Sequence, residues 1–121
     1  MKITIIGGGN IGGAIAGGLA ASTLMKASDL TVADPSAAAL ERIKGLNSAI
    51  RTSQDNAAAV EGADLIILAV KPWLAEEVSA TFRDKLNFDR QCLASVVAGV
   101  SFEKLKTMLD NGKDVRPALL R

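Results

Sequence analysis

The chain has 121 residues, 49% of them apolar, and a net charge of +1, which suits one folded domain able to bury about two-thirds of its unfolded surface and argues against disorder. Balanced charge supplies no basic field for nucleic acid or for lipid headgroups. Histidine is absent and Cys92 is the single cysteine, so the commonest metal ligand and general base are missing, no internal disulfide can form, and a reducing cytoplasm is the expected compartment.

Lys2 to Ile6, rich in Ile and bounded by glycine, has the pattern of a short buried strand. One lysine and an apolar run that breaks at once into glycine do not make a signal peptide. From Asn10, the residues Ile11, Ile15 and Leu19 recur every four positions, which predicts a helix. The alternation then repeats, with a strand over Leu30 to Ala33 and a helix over Ser36 to Lys44 that turns Leu40 and Ile43 inward. A short strand at Ala49 to Thr52 and a helical turn around Asn56 to Glu61 follow. Asp64 to Val70 ("DLIILAV") is apolar on both faces, as a central parallel strand should be. Its strictly apolar part, Leu65 to Val70, falls far short of the roughly twenty residues that cross a bilayer, so no membrane partner is expected.

Pro72 opens a predicted helix with Leu74, Val78, Phe82 and Leu86 on one stripe. A fifth strand covers Cys92 to Val97, where Cys92 is a small core residue. Ser101 caps a helix bearing Phe102, Leu105 and Leu109, which Asn111-Gly112 ends. Strands and helices in this rhythm predict an α/β domain over residues 1–121, a doubly wound parallel sheet with helices on both sides in three layers.

The first strand runs into Gly7-Gly8-Gly9-Asn10-Ile11-Gly12, a G-x-G-x-x-G segment placed between strand and helix as dinucleotide binding requires. Gly7 permits the tight turn, Gly9 lets a pyrophosphate approach the backbone, and Gly12 lets helix and strand pack closely. The helix start adds unpaired N–H groups and about half a positive charge. Gly13, Gly17 and Gly18 lie inside the helix and are read as packing residues that let it sit close on the sheet.

The ribose of such a cofactor needs an acid about twenty residues further on. Asp34 stands there, although Asp34-Pro35 also reads as a helix N-cap with proline at the first position. A carboxylate about 5 Å from a 2′-phosphate repels it by about 3 kcal/mol per unit charge at an effective dielectric of about 20. Ser36, Arg42 and Lys44 are the candidates to offset this.

With "IIGGGNIGGAIAGGL", "AVKPW" and "SVVAGVS" in this order, the chain resembles the N-terminal part of pyrroline-5-carboxylate reductase, within the wider 6-phosphogluconate-dehydrogenase-like oxidoreductases. The resemblance implies a Rossmann domain that binds NADP or NAD for the reduction of 1-pyrroline-5-carboxylate to proline. It assigns pyrophosphate contacts to Gly7, Gly9, Asn10, Ile11 and Gly12, and an adenosine-end position to Asn56. Val70, Lys71 and Pro72 fall to the nicotinamide-ribose loop, and Ala98 to the border of the nicotinamide pocket.

Bottom-up, Lys71 suits a ligand crevice at the carboxyl ends of parallel strands, with a solvated loop cation as the alternative; Asn56 is equally readable as a turn or cap residue. Trp73 replaces the family's polar residue and is expected to cover the helix start. The family favours NADP whereas Asp34 favours NAD, which leaves the preference open.

The resemblance further implies a sixth strand and then a helical domain that supplies the substrate site and the dimer interface. Here Arg116 echoes a family arginine, "PALLR" does not continue the pattern, and the helical domain is expected to be missing from these residues. Turnover by this chain alone is therefore not expected, and surface left for that domain could pair copies of the chain. A dinucleotide-binding module or sensor without catalysis is the alternative function.

Overall fold

Six parallel strands in the order β3-β2-β1-β4-β5-β6 form one sheet in a computed structural model of the chain, which describes residues 1–113 and the backbone of 119–120. The strands are β1 (Ile3–Ile6), β2 (Leu30–Ala33), β3 (Arg51–Ser53), β4 (Leu65–Leu68), β5 (Cys92–Ser95) and β6 (Leu119–Leu120). The helices are α1 (Asn10–Ala21), α2 (Ala37–Leu46), α3 (Asn56–Val60), α4 (Ala75–Phe82) and α5 (Phe102–Met108). This strand order defines the doubly wound dinucleotide-binding sheet, whose direction of winding reverses between β1 and β4.

β1 is buried along its whole length and pairs residue for residue with β2 (Ile3 with Leu30, Ile6 with Ala33) and with β4 (Ile3 with Leu65, Ile6 with Leu68). One face of the sheet turns Ile3, Ile5, Leu30, Val32 and Ile67 toward α1 and α2. The other packs Ile6, Ala33, Ile66 and Leu68 against Val60, Phe82, Leu105 and Met108 of α3, α4 and α5. Each large side chain so buried contributes about 1.5–3 kcal/mol.

Polar side chains tie the layers. The buried Thr4 hydroxyl donates to the Ala59 carbonyl (2.7 Å), and Gln91 Nε2 donates to the Val60 and Ala63 carbonyls (2.8 Å each), closing the end of α3.

Four readings of the sequence need correction. β6 adds a sixth strand, parallel to β5, where "PALLR" was expected to break the pattern; Arg116 lies outside the described residues. Of the expected α1 stripe, Ile15 and Leu19 pack half-buried on the core, but Ile11 is 58% exposed, and the fully buried positions are Gly12 and Ala16. Pro72 opens a 3-10 turn, Pro72–Leu74, and the α-helix behind it buries Ala75, Ser79 and Phe82 instead of Leu74. Trp73 is 75% exposed and is not buried over the helix start as expected.

The helical glycines also divide differently. A Cβ at Gly13 or Gly17 would meet Ile43 or Leu46 of α2 at ordinary contact distance, and one at Gly18 would meet nothing within 4 Å. At Gly12 a Cβ would strike the Gly7 carbonyl. Close approach to the sheet therefore dictates glycine at Gly12 alone among these four, and Gly18 keeps only its entropic cost. In urea unfolding, Gly18→Ala should raise stability by about 0.5–1 kcal/mol, and Gly12→Ala should lower it by about 1–3 kcal/mol.

Candidate functional site

The crevice lies outside the carboxyl ends of β1, β2 and β4, at the reversal point where open α/β sheets take their ligands. Its floor is the glycine turn. Gly7 adopts φ +115, a conformation that side chains disfavour, and a Cβ there would strike the Ala69 carbonyl. Gly7 N donates to the Ala33 carbonyl (2.8 Å) and Ala69 N to the Ile6 carbonyl (2.8 Å), which fastens the turn to both neighbouring strands.

Gly9 is the N-cap of α1. It brings no capping side chain, and no acidic residue occupies the first turn, so the first N–H groups face the crevice with the partial positive charge of the helix start. Space around the Gly9 Cα is open, and a Cβ there would meet nothing within 4 Å. An anion can reach the backbone at this point.

Asp34 leaves β2 on the opposite rim. Its Oδ2 accepts from Gly8 N and its Oδ1 from Ser36 N, both at 2.8 Å. The N-cap of α2 is Ser36, whose Oγ accepts from Ala39 N (3.2 Å). The capping role considered for Asp34 therefore belongs to Ser36, because the helix begins at Ala37 and not at Pro35.

Two adjoining clefts make up the crevice. One of about 160 Å³ is lined by Gly7, Gly9, Asn10, Ile11, Asp34, Val70 and Lys71, among others. The second, of about 150 Å³, shares Gly7, Asp34 and Val70 and adds Asn56. Eight of the eleven residues singled out from the sequence thus gather in one place. Gly12 lies buried beneath them. Pro72 and Ala98 line neither cleft, and Ala98 sits in an exposed turn after β5.

Asn56 does not cap α3, since Asp55 does (Oδ1 accepts from Ala58 N, 3.2 Å). Its Nδ2 donates to the Thr81 hydroxyl of α4 (3.0 Å), and its Oδ1 is buried without a partner. Such an atom calls for an explanation; the residue borders the adjoining cleft, although Oδ1 itself is shielded from it. Leu74 lines both clefts and was not assigned to the site from sequence; an apolar residue on a helical stripe gives no signal that it faces a cofactor. Larger grooves of about 300 and 580 Å³ open at the amino ends of the strands, where the glycine turn is absent.

Residues 2–111 match the family model described as NADP oxidoreductase coenzyme F420-dependent. The chain belongs to this family. Among curated relatives, the pyrroline-5-carboxylate reductase of Pasteurella multocida is 35% identical over 116 residues, which cover 94% of this chain and 42% of that protein. The reductase of Escherichia coli (strain K12) is 36% identical over 121 residues, 98% of this chain and 43% of its own length. The chain thus spans less than half the length of these relatives.

Two solved structures agree in fold. The pyrroline-5-carboxylate reductase of Coxiella burnetii superposes with a TM-score of 0.82 at 30% identity, over 91% of this chain and 40% of that one. The Plasmodium falciparum enzyme, solved with NADP bound, gives 0.77 at 25% identity, over 93% and 39%. The chain is a dinucleotide-binding domain of the kind found in pyrroline-5-carboxylate reductases. Gly9→Val should leave the domain folded, at a capping cost of about 1 kcal/mol or less, and abolish dinucleotide binding; calorimetric titration beside circular dichroism checks both.

Proposed function

We propose that the crevice holds NADH or NADPH, with the pyrophosphate over Gly9 to Gly12, the adenine ribose between Asp34 and Asn56, and the nicotinamide end beyond Val70 and Lys71. The observation that carries this reading is the uncapped α1 start beside an open Gly9, aligned with Asp34 across the reversal point of the sheet. The reduced nicotinamide supplies a hydride when bound, and the likeness to pyrroline-5-carboxylate reductases supports 1-pyrroline-5-carboxylate as its acceptor.

The domain's own residues bind and orient rather than transform. Hydride transfer needs the acceptor held against the cofactor with water excluded, whereas Lys71 and Ala98 stand exposed at the nicotinamide end of the crevice. The function that follows is binding without turnover by this chain alone, and a pyrroline-5-carboxylate reduction assay with either cofactor should give no rate above background.

For the preference we propose NAD(H). Asp34 lies in the crevice, and two of the three candidates to offset its charge, Ser36 and Lys44, are engaged elsewhere. The Ser36 hydroxyl caps α2, and Lys44 donates to the Ser48 carbonyl at the far end of that helix. The single tryptophan, Trp73, is exposed two residues beyond Lys71 and makes a natural energy donor to a reduced nicotinamide. Fluorescence titration should give NADH a dissociation constant about tenfold or more below that of NADPH, as about 1.4 kcal/mol of repulsion would produce. Equal or reversed affinities overturn the preference, and no transfer with either ligand overturns the site.

A further inference from the structure

We infer that Asp34 is a positioning residue for the phosphate loop, acting through the Gly8 peptide, and that its influence on the cofactor does not stop at the ribose. This inference rests on the crevice being the dinucleotide site.

The geometry is specific. Gly8 is buried and follows directly on the positive-φ Gly7. Two consecutive N–H groups of the loop are spent on the end of β2, Gly7 N on the Ala33 carbonyl and Gly8 N on Asp34 Oδ2, at 2.8 Å each. The carboxylate is itself fixed from the other side, by Ser36 N on Oδ1 and by its own backbone N on the Ser53 carbonyl of β3 (3.0 Å). Space around Gly8 is tight enough that a Cβ would come within 3.3 Å of Asp34 Cβ. Asp34 is thereby a brace between the exit of β2, the cap of α2 and the glycine turn.

The chemistry follows from what each N–H does. With Gly8 N held by a carboxylate, the 7–8 peptide is locked, and the donors left for an anion are those at the start of α1. Charge-assisted bonds of this kind are about twice as strong as neutral ones, and removal of the acceptor strands a buried donor. The loop then has reason to rotate the Gly8 peptide toward water, which disturbs the neighbouring Gly9 cap. A ribose contact would affect only ligands that carry the ribose, whereas a brace affects every ligand that uses the loop. The two roles are separable with inorganic pyrophosphate, which has neither ribose nor 2′-phosphate.

The experiment compares the parent with Asp34→Ser and Asp34→Asn. Amide hydrogen exchange of Gly8 is followed by NMR in the free protein, and inorganic pyrophosphate, NADH and NADPH are titrated against the amide resonances of Gly9 to Gly12. In Asp34→Ser, Gly8 exchange should accelerate about tenfold or more, as loss of about 1.4 kcal/mol of protection implies, and pyrophosphate affinity should fall about three- to tenfold below that of Asp34→Asn, which removes the same charge and so relieves the same repulsion on the anion. Asp34→Asn, which keeps one carbonyl oxygen for Gly8 N, should exchange at a rate between those of the parent and Asp34→Ser. NADH should weaken at least as much as pyrophosphate, so that a substitution made to admit NADPH also loosens the loop that NADPH needs. Equal pyrophosphate affinity in Asp34→Ser and Asp34→Asn, with NADH weakened in Asp34→Ser relative to the parent, overturns the brace and returns Asp34 to the ribose alone. A parent that binds neither pyrophosphate nor either dinucleotide overturns the site itself, a failure distinct from that of the brace.

Discussion

Everything in the crevice depends on how closely α1 passes over the end of β1. At Gly12 the helix lies so near the Gly7 carbonyl that a methyl group has no room, and Ala16, one turn on, is fully buried behind it. That approach brings the first N–H groups of the helix to the line between β1 and β4 and points them outward. A helix standing off by the radius of a side chain would leave the same donors over the sheet interior. Isoleucines of β1 and β2's Leu30 and Val32 hold the approach from below, through apolar burial that is non-directional but large in sum.

Apolar burial sets the layer spacing and polar bonds set the rim. Thr4 anchors α3 to β1, Gln91 closes the end of α3, and Asn56 links α3 to α4 through Thr81. The Asn56 bond borders the crevice, whereas those of Thr4 and Gln91 lie toward the amino ends of the strands; together they fix α3, which carries Asn56, to the sheet and to α4. Preorganisation of this kind reduces the ordering cost that a ligand would otherwise meet.

The alternation of elements was legible because β1 and β4 are short apolar runs bounded by glycine or loop, and because Ser101 and Ser36 precede apolar helical stripes. Gathering at the crevice was legible for the same reason: residues that directly follow parallel strands must share one edge of the sheet. What stayed hidden depends on the third dimension. The four-residue spacing of Ile11, Ile15 and Leu19 marks a helix whose Ile15 and Leu19 pack on the core, yet the closest approach is made by the neighbouring Gly12 and Ala16, where small side chains permit close packing. Sequence could not reveal that Gly18 faces open space, that Asp34 turns one oxygen to Gly8, or that Leu119 and Leu120 extend the sheet.

At the outer edge β3 has three residues, and the first of them, Arg51, is exposed and donates through Nε to the Ser28 carbonyl. A strand so short, with a guanidinium at its entrance, is a poor template for the backbone of another molecule. The opposite side of the described sheet ends in the two residues of β6. A parallel sheet of aliphatic strands is a natural seed for aggregation, and here its β3 margin is blunted by brevity and charge, so that the apolar strands of the centre remain inside.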